Sequence, residues 1–412
     1  MSFGQGITAG AVALALLAIA TAAWSQPSDE LPRRAALGVA LAVDDGGAVS
    51  VSGVAVGSAA AAAGIKAGDV IAALDGMSIT TAAQVQGIIG ARRGGDALTV
   101  DVERGGARSR IVVTLQPFPS ERLPNTTFSY GHVTLDDGVR LRTIVSTPTN
   151  ARARAPAVLF LQGGGCSSID VPQAGSTGPN ALIHAIAAQG FVTMRVDKPG
   201  AGDSEGPPCA EIGYREELAG YRAALRALLA NPAADPDKIF LFGASLGGFF
   251  APILAQDTKV AGISAYGTIA FTPTPYPGRS ERFFREIAEV EDILALWASV
   301  DARVQVLHGT YDATATASDH AKIAAAVNAA HPGHAEHREL EGLDHGATRQ
   351  PSLEAGARNP GGGEQVTDLQ DAVLGCRSCY RHRLQCEFRP AQVPSRNRAD
   401  PGHQPPRRFR IA

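Results

Sequence analysis

The chain has 412 residues, more than one ordinary domain needs and enough for two domains plus tails. A formal charge of -3, with 45% apolar and 19% charged residues, describes a globular protein and excludes an overall basic surface made for nucleic acid. The average conceals a basic end: from Gly375 onward, nine Arg and no Lys stand against Glu387 and Asp400.

The first 28 residues carry no charged side chain, and an Ala/Leu/Val/Ile run over 7–20 is followed by the small residues Ala22, Ala23 and Ser25. This pattern predicts a secretory signal over 1–25, cut after Ala23 or Ser25, and hence a periplasmic or secreted protein. No Lys or Arg precedes the run, which leaves an uncleaved anchor or a plain Ala-rich helix as alternatives. The run is short for a span of about 20 residues, so no stable membrane span is expected after cleavage. A linker over 26–36 follows.

Residues 37–117 read as a small β-rich domain. Val39, Leu41 and Val43 alternate with smaller residues, Val49, Val51, Val54 and Val56 continue the strand pattern, and Leu98, Val100, Val102 and the run 111–115 supply later strands. Between them a short Ala-rich helix ends at Gly64, and Asp75-Gly76 marks a hairpin turn. The stretch Ala63-Gly64-Ile65-Lys66-Ala67-Gly68-Asp69-Val70-Ile71, followed by Asp75-Gly76, resembles the PDZ domains of bacterial envelope proteases. The resemblance implies a groove in which a peptide C-terminus adds as a strand. Its carboxylate would be held by the loop Leu37-Gly38-Val39, with a helix over 81–91 bearing Val85, Ile88 and Ile89 as the other wall. The same apolar helix positions equally suit a plain core.

After Pro117 and Pro119 a second domain is expected over 125–374. Two strand-like runs, 127–135 and 139–147, flank Asp136-Asp137-Gly138. Solidly apolar short runs then alternate with helical stretches, which predicts a doubly wound, mostly parallel α/β sheet covered on both faces. Chemistry belongs in the loops at the carboxyl ends of its strands. One such loop is Gly243-Ala244-Ser245-Leu246-Gly247, between an apolar strand and a helix. This G-x-S-x-G in strand–turn–helix context resembles the nucleophile elbow of α/β-hydrolases, in their esterase and acyl-peptidase branches.

That resemblance implies a triad in the order Ser, acid, His, because a hydroxyl becomes a useful nucleophile only when an oriented base takes its proton. Asp312 lies past the strand 304–307, and His345 sits in Gly342-Leu343-Asp344-His345-Gly346 after the last strand. Asp319 and Asp344 are the weaker candidates for the acid. Of the other histidines, His308 is expected in a strand end, and His320, His331, His334 and His337 on or beside a polar, solvated helix. The oxyanion donors are expected to be the N–H of Leu246 and that of Gly164 or Gly165, since Gln162-Gly163-Gly164-Gly165 resembles the H-G-G-G loop of esterases with Gln in place of His. Residues 197–206 resemble the family's D-x-R-G-x-G-x-S loop and are read as shaping the sheet edge. In this fold the loops bearing Cys166 and Cys209 face each other, and an oxidising compartment would permit their disulfide. Residues 267–299, with Phe271, Tyr276, Phe283, Phe284 and Trp297, form a small cap that either selects an acyl group or merely packs.

A last helix is expected over 365–374 and a disordered basic tail over 375–412. Cys376, Cys379 and Cys386 resemble half of a fungal binuclear zinc cluster whose second half is missing, so no metal site and no function are assigned there. The reading is an exported serine hydrolase of carboxylic esters or related acyl bonds. It needs no cofactor or metal, takes a small acyl substrate, and offers a PDZ groove to a peptide. The alternatives are a PDZ-guided peptidase and a non-catalytic binding protein on the same scaffold.

Overall fold

The computed structural model describes residues 30–44, 46–150, 153–171, 178–290, 292–360 and 362–365. The expected signal segment, the basic tail with its three cysteines, and all but Gln365 of the expected last helix lie outside the described residues. Among the described residues, no helix is long and apolar enough to cross a membrane.

The front domain comprises β1 (Ala35–Ala36), β2 (Val39–Val43), β3 (Val49–Val54), α1 (Ala59–Ala62), β4 (Val70–Leu74), β5 (Met77–Ser78), α2 (Ala82–Gly90), β6 (Ala97–Arg104), β7 (Ala107–Thr114) and β8 (Gln116–Pro117). Its antiparallel sheet runs β2-β3-β4-β6-β7, with β5 on β4. Asp75 and Gly76 have φ of 47° and 79°, the paired positive values that a two-residue hairpin between Leu74 and Met77 requires. Alternation puts Leu98, Val100 and Val102 inward, where they meet Val49, Val51, Ile71 and Leu74. Ser58 caps α1, and Thr81 with Gln84 forms a capping box on α2.

The second domain follows as β9 (Thr126–Thr134), β10 (Arg140–Pro148), β11 (Ala155–Leu161), α3 (Gly178–Ala188), β12 (Val192–Val196), α4 (Tyr214–Leu229), β13 (Ala234–Ala244), α5 (Gly247–Asp257), β14 (Gly262–Tyr266), α6 (Glu281–Ala288), α7 (Ile293–Ala298), β15 (Arg303–Gly309), α8 (Ala317–Ala330), β16 (Ala335–Leu340), β17 (Thr348–Arg349), α9 (Leu353–Arg358) and β18 (Glu364–Gln365). Eight strands pair in the order β16-β15-β14-β13-β11-β12-β10-β9. Strands β11 to β16 run parallel, while β10 is antiparallel to both neighbours. The inner parallel strands β11 to β15 are largely buried on both faces, the edge strand β16 is not, and two apolar clusters occupy the two faces of the sheet. The chain winds outward from β11 first to β12 and then back past it to β13. That reversal opens a crevice at the carboxyl ends of the strands.

Residues 30–36 of the expected linker pack into the structure, while 26–29 lie outside the described residues. Ala35–Ala36 pairs with Gln116–Pro117, Leu31 is buried, and Arg33 and Arg34 reach into the second domain to meet Asp170 and Asp203.

Candidate active site

Strand β13 ends in a bend that few residues tolerate. Ser245 has φ of 53°, a left-handed conformation costly for any residue with a Cβ. Its N–H donates to the Tyr266 carbonyl at 2.8 Å, and its carbonyl accepts from the Gly248 N–H at 2.9 Å, so sheet and helix hold the bend from both sides. A methyl group on Gly243 would lie 2.6 Å from the Gly248 nitrogen, and one on Gly247 would lie 1.9 Å from the Leu161 carbonyl oxygen. The elbow closes only with glycine on each side.

Residues from three separate loops meet there. His345 Nε2 lies 2.9 Å from Ser245 Oγ, and His345 Nδ1 lies 2.9 Å from Asp312 Oδ2. Asp312 is buried, which opposes its ionisation. The hydrogen bond and charge of His345, with N–H donations from Ala315 and Thr314, outweigh burial and hold the carboxyl below its ordinary value. The other two acids weighed from sequence do different work. Asp319 caps α8 through Thr316, whereas the buried Asp344 accepts from the Thr348 N–H and hydroxyl and from Gln350, bracing the loop that carries His345. Gly267 crosses beneath the pair with φ of 59°; a Cβ there would come within 3.0 Å of Asp312 Oδ2 and 3.1 Å of His345 Nδ1.

Family models match two stretches of the chain: residues 35–115 match the PDZ domain, and residues 137–272 match the X-Pro dipeptidyl-peptidase (S15 family). The chain carries a PDZ domain followed by a domain of the α/β-hydrolase fold. Solved structures similar to it include dipeptidyl peptidase 4 of Porphyromonas gingivalis (16% identity, TM-score 0.46, 63% of this chain and 39% of that one). Others are the acylaminoacyl peptidase of Pyrococcus horikoshii (12%, 0.46, 63% and 46%) and ferulic acid-bound Est1E of Butyrivibrio proteoclasticus (16%, 0.44, 54% and 93%). The chain thus spans about two fifths of the length of the first of these.

The glycine loop after β11 lies beside the serine. Gly163 approaches it, since a methyl group there would lie 3.1 Å from Ser245 Cβ. A methyl group on Gly164 would meet the Tyr276 hydroxyl, and Gly165 has open space beside it. Leu246 is buried at the start of α5, directly after the elbow. Cys166 and Cys209 are joined by a disulfide with Sγ atoms 2.09 Å apart.

Sequence reasoning missed the group that holds this loop. Lys198, read as part of a turn, is buried and donates to the carbonyls of Gly163 at 2.5 Å and Gly165 at 2.8 Å while pairing with Glu217 at 3.0 Å. Burial pushes its ammonium down to about 8, against the opposing pull of Glu217. Arg279, just before α6, pairs with Glu217 and lies 3.6 Å from Cys209 Sγ. Tyr221 accepts from the Gln162 N–H at 3.1 Å. The one legible signal was a Lys beside the sheet edge between two glycine-rich loops.

The PDZ part also needs a correction. Val85, read as a groove wall, is 1% exposed inside the domain core, while Ile88 and Ile89 are half-buried against that core. Leu37 is buried too, with its carbonyl accepting from the Ala60 N–H, and Gly38 has φ of 80° with Ser58 against it. Val39 begins β2, the edge strand of the sheet.

Proposed function

We propose that this chain is an exported serine hydrolase of carboxylic esters or closely related acyl bonds. Ser245 attacks the carbonyl, His345 takes the hydroxyl proton and passes it to the leaving group, and Asp312 orients the ring and offsets its charge. Water then enters along the same path to release the acid. The observation that carries this reading is the unbroken relay of two 2.9 Å contacts from a serine held at φ of 53°. N–H groups of Leu246 and of the glycine loop 163–165 take the developing oxyanion, the loop being held by Lys198 and the disulfide. Export agrees with that disulfide and with the uncharged N-terminal run. The open edge of β2, next to the Leu37-Gly38-Val39 turn, suits a peptide C-terminus added as a strand.

The match of residues 137–272 to an X-Pro dipeptidyl-peptidase family supports a second reading, a peptidase fed by the PDZ domain. One experiment addresses both. The purified protein is labelled with a fluorophosphonate and assayed on chromogenic esters of graded acyl length and on peptides with free termini. Parent protein labels; Ser245→Ala does not, and its turnover falls about 10⁶-fold. A parent that stays unlabelled and inert on every substrate would leave a binding protein on a hydrolase scaffold. Faster cleavage of peptides than of esters would move the assignment to the peptidase.

A further inference from the structure

Beneath the loop that bears Asp312 lies a second group of titratable side chains with no part in the serine chemistry. His308 is the last but one residue of strand β15, beside Glu339 of the edge strand β16, and His337 precedes Glu339 by two residues, on the same side of that strand. The ligand atoms of His308, His337 and Glu339 all lie within 4.8 Å of one another, with His308 Nδ1 3.8 Å from Glu339 Oε1. A fourth imidazole, His320 of α8, packs over them, its ring centroid 4.9 Å from that of His308 and 5.9 Å from that of His337. The sequence reading put His320 and His337 on a solvated helix. His320 is instead fully buried, and His337 is a half-buried strand residue.

The nitrogens of this cluster lack partners. Both ring nitrogens of the buried His308, the Nε2 of His320 and the Nε2 of His337 are enclosed with no hydrogen bond. Buried polar groups are almost always paired, so four unpaired imidazole nitrogens in one place require an account. His320 is the most informative of them. Its Nδ1 donates to the Thr316 carbonyl at 2.7 Å, which leaves Nε2 as the lone-pair nitrogen, the tautomer in which metal-binding imidazoles are held by a carbonyl behind them.

We propose that His308, His337 and Glu339 hold a divalent transition-metal ion of the zinc type, with His320 Nε2 as the nearest further donor. Imidazole-rich sites with one carboxylate select such ions over magnesium or calcium. Ligands around zinc sit about 3.3 Å apart, given bonds of about 2.0 to 2.1 Å, and rotation of Glu339 closes the gap. The Glu339 side chain is 56% exposed, which gives the ion a path from solvent. The ion would tie β15, β16 and α8 together around the 310–316 loop, and so brace Asp312 from behind without touching the reacting atoms.

The site is read without turnover, so its fate is independent of the serine reading. Full-length protein stripped with a chelator is titrated with Zn²⁺ by calorimetry and with Co²⁺ by visible absorption, and its melting is followed with and without metal. One ion per chain, an intense Co²⁺ spectrum of low-coordinate type and a raised melting temperature are expected. His337→Ala and Glu339→Gln, both on a partly exposed edge strand, should each weaken binding at least tenfold while the metal-free protein melts as the parent does. The surface group Asp301, His331 and His334 is the internal control, and His331→Ala/His334→Ala should bind as the parent does. Absence of saturable binding overturns the proposal. So does binding that survives both ligand substitutions or vanishes with the surface histidines.

Discussion

Lys198 is the residue on which the geometry around Ser245 most depends without being part of the relay. Its ammonium is shared between two carbonyls of the glycine loop and Glu217, while Glu217 keeps a second cation in Arg279. Lys198→Met therefore removes the tie to the loop without leaving a bare buried carboxylate, and the loop can drift from the serine. Misplacement of about 1 Å costs about 10²-fold in rate, so kcat should drop by about 10 to 10²-fold with KM little changed. A variant that lost KM alone would show that Lys198 shapes substrate binding instead. Its neighbour Asp197 is buried against the Ile169 N–H and the Ser168 hydroxyl, and burial pushes its pKa up to about 7. A carboxyl raised in the folded state binds more protons folded than unfolded between the two pKa values. Its contribution to stability is therefore full below about pH 4 and lost as pH rises through about 7. Asp197→Asn should flatten the fall in stability across that window, measured as urea midpoints from pH 4 to 8; an unchanged slope would assign it to other groups. Ser245, Asp312 and His345 were legible because each follows a strand end and glycines punctuate two of the turns. Lys198 was not, because its partners are backbone carbonyls 33 and 35 residues away, and a carbonyl has no sequence signature.

At the level of elements, the strands announced themselves where burial is two-sided: the runs 157–161, 239–242 and 304–307 lie within β11, β13 and β15, while Phe191, Val260 and Ala261 fall just before β12 and β14. The α2 face shows the limit of that approach. Val85, Ile88 and Ile89 fit a groove and a core equally well by spacing, and only the packing of α2 onto the sheet decides that Val85 faces inward. The histidines erred for a related reason, since polar spacing around His337 looked helical while its backbone pairs in register with Val306. The loop after β11 and the turn at Cys209 are joined across 43 residues by the Cys166–Cys209 disulfide. Closing a loop of that length removes unfolded-state entropy worth about 4 kcal/mol at room temperature. Cys166→Ala/Cys209→Ala should therefore melt several degrees lower and lose activity before it loses fold, because the freed end of the glycine loop lies next to the serine. Equal melting of the parent with and without reductant would show that the bridge adds nothing to stability.

For the molecule as a whole, the question is whether the PDZ domain and the hydrolase act as separate bodies. The two junctions argue against it. Before the PDZ sheet, Arg33 pairs with Asp170 and Asp203 at 2.6 Å each, and both carboxylates are fully enclosed. Its guanidinium lies 4.2 Å from the Tyr130 ring centroid and donates to the carbonyls of Phe118 and Pro119, in the segment that leaves the PDZ domain. Arg34 stacks on Phe118 and reaches Ser168, and Arg142 meets the same Asp203 Oδ2 at 3.1 Å. One arginine thus joins the entry strand, the exit segment and the loop of the second domain that runs on from Gly163–Gly165. Removing a partner from a buried pair costs more than the pair contributes, about 3 to 5 kcal/mol, because the remaining charge stays enclosed. Arg34 and Arg142 still flank the two aspartates, so Arg33→Ala should fall near the lower figure. Calorimetry should resolve this: the parent unfolds in one transition, and Arg33→Ala splits it, the hydrolase melting first and the PDZ domain near its own midpoint. Arg33→Lys keeps the charge but has no fork to bridge two carboxylates, and it should behave like the alanine variant more than like the parent. A single transition at the parental temperature in both variants would mean that the domains are coupled elsewhere, and that the PDZ domain cannot signal to the glycine loop through this junction.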